Sequence, residues 1–69
     1  MTPAEETIGS RIRKIRNTLK LNQNEFAEKL KITQPTLSQI EKGNVNPSIE
    51  TIRKMNNLFS VSYEYLIDG

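Results

Sequence analysis

Apolar residues recur along this chain at helical spacing, and no segment alternates with the two-residue period of a strand. Ile8, Ile12, Ile15 and Leu19 are separated by four, three and four positions, which puts them on one helical face. Phe26, Ala27 and Leu30 form a second apolar face, and Leu37 with Ile40 a third. Ile49, Ile52, Met55 and Phe59 give a fourth, turned inward, and Tyr63, Tyr65, Leu66 and Ile67 a short last one. Five helices with short connections predict a compact all-α domain.

Start and stop signals punctuate the same pattern. For the first helix there are two candidate starts: Thr2-Pro3-Ala4-Glu5, with a cap, proline at the first helical position and an acidic residue at the third, and its rival Thr7. Asn22 caps the second helix, with Glu25 three residues on, and that helix ends near Lys31. Thr33 caps the third, whose first turn accommodates Pro35 because an N–H there has no helical partner, and Gly43 stops it. Asn44-Val45-Asn46-Pro47 is a loop, Ser48 caps the fourth helix, Ser60-Val61 turns the chain, and Ser62 caps the fifth.

With 69 residues, one domain spanning 1–69 is expected, close to the lower size limit for folding without staples. The chain has no cysteine and no histidine, which excludes disulfides, zinc fingers, thiol chemistry and histidine acid–base catalysis. There is no glycine-rich phosphate loop and no clustering of carboxylates, so no enzyme, cofactor, metal or small-molecule ligand is expected. No apolar run has the length of a membrane span or a signal-peptide core, so a cytoplasmic location without membrane contact is expected. Net charge is only +2, but Arg11, Arg13, Lys14, Arg16 and Lys20 crowd one ten-residue stretch. Most of these are read as a solvated helix face; Arg11 and Arg13 are candidates for phosphate contact.

Residues 22–43 carry the chemistry. They read as two short helices joined by a tight turn, the second exposing Gln34, Ser38 and Gln39. A glutamine reaching out of a helix hydrogen-bonds the edge of adenine in the DNA major groove. In residue order the chain resembles the Cro/repressor-type helix-turn-helix family, also called lambda-repressor-like or Xre. The matching elements are Ile8-Gly9-Ser10-Arg11-Ile12-Arg13, Ile15-Arg16, Leu21-Asn22-Gln23, Phe26-Ala27, Gln34 through Gly43, Asn46-Pro47-Ser48 and Tyr65 through Gly69.

The resemblance implies a five-helix lambda-repressor-like domain with the helix-turn-helix in helices two and three. It implies base contacts from Gln34, Pro35, Ser38 and Gln39, where proline adds apolar contact with a thymine methyl but removes an amide-edge contact. DNA-backbone contacts are implied for Asn22, Gln23, Thr33, Thr36, Lys42 and Asn44, since helix N-termini offer free N–H groups to phosphate. Arg16 and Glu41 are implied to form a structural ion pair. Lys31 and Ser60 stand where the family usually has glycine, and Asn56 where it usually has alanine. Leu58 and Tyr63 are candidate dimer contacts.

Taken together these features lead to the expectation of a sequence-specific regulator that binds double-stranded DNA at an inverted repeat as a homodimer. A bacterial or phage protein is implied, nucleoid-associated when bound: a phage repressor, a restriction-modification controller or an antitoxin-type autoregulator. The alternative is a protein-binding adaptor on the same helical fold.

Overall fold

A computed structural model of the chain describes residues 7–67. Five helices follow one another: α1 (Ile8–Thr18), α2 (Gln23–Leu30), α3 (Gln34–Lys42), α4 (Ile49–Phe59) and α5 (Tyr63–Ile67), with no strand among the described residues. Of the two candidate starts for α1, Thr7 is the cap: its hydroxyl accepts from the Ser10 N–H at 3.1 Å. Thr2-Pro3-Ala4-Glu5 lies outside the described residues. Each later helix also starts on a side-chain cap, with Asn22, Thr33, Ser48 and Ser62 accepting from the N–H three residues on. At α2 the cap is reciprocal, because the Glu25 carboxylate accepts from the Asn22 N–H at 2.9 Å.

The core is one cluster drawn from every helix: Ile12, Phe26, Ala27, Leu30, Leu37, Ile40, Met55 and Leu66. Phe26 stacks on Phe59, ring centroids 5.3 Å apart. Against the sequence expectation, Ile49 does not join it; at the first position of α4 it is 76% exposed. Thr51 takes the inward position instead, its hydroxyl paired with that of the cap Ser48 at 3.0 Å, so a buried polar atom stays satisfied. Tyr63, Tyr65 and Ile67 are exposed as well, and Leu66 is the side chain that α5 buries in the core. No helix among the described residues is long and apolar enough to cross a membrane.

Two features set the spacing of the helices that matter for function. Gly9 faces the backbone of α3, where a Cβ would overlap the Ile40 carbonyl oxygen and approach the Ile40 carbonyl carbon to 3.1 Å. Glycine therefore lets α1 lie directly on α3. The corners are tight: Lys20, Lys31, Gly43 and Ser60 all have positive φ, between 59° and 86°. Three of the four are not glycine, and each carries left-handed strain. At Ser60 the next residues are tied down by Asn56, whose amide donates to the Val61 carbonyl at 2.8 Å. That bond gives the asparagine a role that alanine at the same position would lack.

Candidate nucleic-acid interface

The first residues of α2 and α3 are both glutamines, and the turn between those helices brings them together. The Gln34 amide donates to the Gln23 side-chain oxygen at 2.8 Å, and the Gln23 amide donates in turn to Glu41 at 3.0 Å. Glu41 also receives Arg16, which donates from Nε to one carboxylate oxygen at 2.7 Å and from Nη2 to the other at 3.2 Å. Arg16 donates a further bond to the Leu21 carbonyl at 3.0 Å, pinning the corner that leads into α2. The ion pair is enclosed, with the arginine side chain 13% and the glutamate 4% exposed. A continuous polar row thus runs from the α1–α3 contact out to the start of α3.

Along α3 the apolar side is committed to Leu37 and Ile40, which leaves the opposite side outward. Pro35, Thr36, Gln39 and Lys42 are exposed, whereas Gln34 and Ser38 are half-buried. The expectation of a bare polar face is thereby modified at three places. Gln34 is held by Gln23, and Gln39 accepts from the Asn44 amide at 2.8 Å. Ser38 lies in a depression with Arg13, Arg16, Gln23, Glu41 and Lys42.

The residues expected to meet the phosphate backbone lie at the starts of α2 and α3 and at the end of α3. Asn22 and Gln23 open α2, and Thr33 and Thr36 open α3 with their hydroxyls paired at 2.8 Å. Lys42 ends α3, and Asn44 follows the left-handed Gly43. One basic candidate is corrected. Arg11 is half-buried and donates to the Leu66 carbonyl at 3.1 Å, so it ties α1 to α5 instead of facing a phosphate. Arg13 remains exposed. Leu58 (55% exposed) and Tyr63 (45%) lie on α4 and α5, on elements outside the helix-turn-helix.

The amide contacts Gln34–Gln23 and Gln39–Asn44 are absent from the sequence reading. Each had a signal. Gln23 and Gln34 hold equivalent first positions in consecutive helices of one motif, and Gln39 and Asn44 are five residues apart across a glycine stop.

Residues 12–66 match the family described as helix-turn-helix. The HTH-type transcriptional regulator YqaE of Bacillus subtilis is 36% identical over 58 residues, which is 84% of this chain and 50% of that protein. ImmR, an HTH-type transcriptional regulator of the same organism, is 36% identical over 61 residues, covering 88% and 48%. The immunity repressor protein of Bacillus phage phi105 is 31% identical over 61 residues, covering 88% and 42%. This chain spans about half the length of the curated relatives it matches. No solved structure matches it significantly.

Proposed function

Because this chain belongs to the lambda-repressor-like helix-turn-helix family, we propose that it is a sequence-specific transcriptional regulator of double-stranded DNA, with α3 in the major groove. The observation that carries this reading is the α3 outer face. Gln34 and Gln39 stand on it with hydrogen-bonding capacity to spare, above a helix fixed from beneath by Leu37 and Ile40. Fixed amides are what reading base edges requires, since hydrogen bonds to the bases specify sequence while phosphate contacts only set register. Pro35 and Ser38 lie between them on the same helix and complete the base-facing set.

The backbone contacts follow from the helix starts. Asn22 and Gln23 bring the positive end of α2 toward one phosphate strand, and Thr33 and Thr36 do so for α3. The side-chain oxygen of Asn22 is used as a cap, so its amide nitrogen is the group offered outward. Lys42 supplies sequence-independent attraction at the far end of the helix.

A homodimer on an inverted repeat accompanies this reading. Two copies related by a two-fold axis place their recognition helices about 34 Å apart, in successive major grooves. Leu58 and Tyr63 are apolar and exposed, which suits a contact between copies. Among the regulatory roles, an immunity repressor among the relatives favours a repressor of the phage type. Selection of bound duplexes from a random pool at near-physiological salt tests the proposal. An enriched inverted repeat with half-sites about one helical turn apart supports it. Weak, salt-sensitive binding to every sequence refutes it and favours a protein-binding adaptor.

A further inference from the structure

We propose that Arg13 of α1 and Lys42 of α3 together hold one phosphate of the DNA backbone, in the depression where the two helices meet. The inference rests on the DNA-binding reading above and adds a contact from outside the helix-turn-helix.

Arg13 lies midway along α1 and Lys42 ends α3, yet both line one depression with Ser38, Gln23 and the Arg16–Glu41 pair. The close approach of α1 to α3 that Gly9 permits sets the two cations on either side of it. The depression has a volume of about 270 Å³, several times the ~30 Å³ that a water molecule takes in the liquid, so a phosphate group fits. On α3, Gln34, Ser38 and Lys42 stand four residues apart and form one row. Arg13 flanks the end of that row from α1. A helix seated in the major groove has a sugar-phosphate strand along either side of it, and the α1 side of the row faces one of them.

Charge favours an anion here. Arg11 donates to the Leu66 carbonyl, and Arg16 is bound to Glu41 and to the Leu21 carbonyl. Arg13 and Lys42 are exposed and have no hydrogen-bond or ion-pair partner among the described residues. Within the depression Glu41 is neutralised by Arg16 at 2.7 Å, so the surplus is the two remaining positive charges. The carbonyl end of α3 opposes an anion by about half a charge, which two cations outweigh. Arg13 offers a planar fork of N–H donors to two phosphate oxygens, and Lys42 a point charge from the other helix. Ordering either long side chain costs entropy that a single exposed pair scarcely offsets. Removing one cation therefore releases the phosphate from the other as well. The contact sets the register of α3 in the groove and carries no sequence information itself.

The experiment takes a duplex enriched by the wild type from a random pool. It is titrated at several salt concentrations with the wild type, Arg13→Gln, Lys42→Gln and the double variant. Melting temperatures within about 2 °C of the wild type establish that each variant is folded. Each single variant should flatten the dependence of log K on log salt by about 0.9 and weaken binding about fivefold at about 0.15 M salt. The double variant should lose no more than either single one. A scan of the duplex with single methylphosphonate substitutions, which carry no charge, should find one position that weakens the wild type about fivefold and leaves the double variant unaffected. An Arg13→Gln variant with wild-type slope and affinity would overturn the proposal. So would a double variant whose slope falls by about 1.8, because two separate phosphates would then be involved. A scan in which no position distinguishes the double variant from the wild type would overturn it too. Each of these results leaves the DNA-binding reading standing. A wild-type pool with no enriched sequence would refute that reading, and the phosphate clamp with it.

Discussion

Replacing Glu41 by alanine removes the acceptor of three hydrogen bonds at once: Arg16 Nε at 2.7 Å, Arg16 Nη2 at 3.2 Å and the Gln23 amide at 3.0 Å. The Arg16 side chain is only 13% exposed, so the guanidinium cannot recover full hydration without opening the α1–α3 contact. Breaking an enclosed pair by deleting one partner costs about 3–5 kcal/mol, chiefly because the other charge is stranded. A domain of this length has a total stability of roughly 3–10 kcal/mol. Glu41→Ala should therefore lose a large share of it and melt at least about 12 °C lower. Thermal and urea unfolding followed by far-ultraviolet circular dichroism measures this directly. The double variant Arg16→Met with Glu41→Leu removes both charges and should recover most of the loss. A melting temperature lowered by only about 2 °C in Glu41→Ala would refute the reasoning. So would a double variant no more stable than the single one, which would mean that the stranded charge is not the cause.

Gly9→Ala forces a Cβ against the Ile40 carbonyl; despite the better helix propensity of alanine, it should destabilise by about 1–3 kcal/mol, and an unchanged urea midpoint would show that α1 and α3 are not so close. Lys31→Gly relieves a left-handed residue at φ 63° and should raise the melting temperature by a few degrees, the gain of about 1–2 kcal/mol being partly offset by glycine's greater unfolded entropy; a fall would contradict that backbone. Lys42→Ala should weaken binding to cognate and random DNA alike and reduce the salt dependence by about one phosphate contact, which titrations at several salt concentrations would detect. Leu58→Asp should leave the melting temperature within about 2 °C, because the side chain is exposed, yet abolish dimeric occupancy of a two-half-site duplex in gel-shift titrations; retained dimeric binding would place the contact elsewhere.

Five helices and the starts of the last four were legible in the sequence because capping is local chemistry, decided by a short polar side chain and the N–H three residues on. The first helix had two candidate starts, of which Thr7 is the cap. The family resemblance added what periodicity alone lacks, namely which of several polar positions belong together. Ile49 was misplaced because its spacing to Ile52 fits an inner face, yet the first turn of a helix extends past the body it packs on. Arg11 was equally ambiguous, since the Leu66 carbonyl that receives it is 55 residues away and no local pattern announces it. The amide row from Gln34 to Glu41 depends on how closely two helix starts approach, which is set by the Lys31 corner in space. The sequence names those groups without giving their direction.

The strained corners bear on how such a chain is tuned over generations. Lys20, Lys31 and Ser60 hold left-handed backbones that glycine would adopt without strain. None of the three belongs to the row joining Gln34, Gln23, Glu41 and Arg16. Changes at Lys20 and Ser60, which lie away from the corner between α2 and α3, alter how long the folded molecule persists in a warm cell and leave that row in place. On the proposed DNA-binding reading, occupancy of a site depends on the amount of folded protein, so the temperature at which a site is vacated drifts by small steps as these corners change.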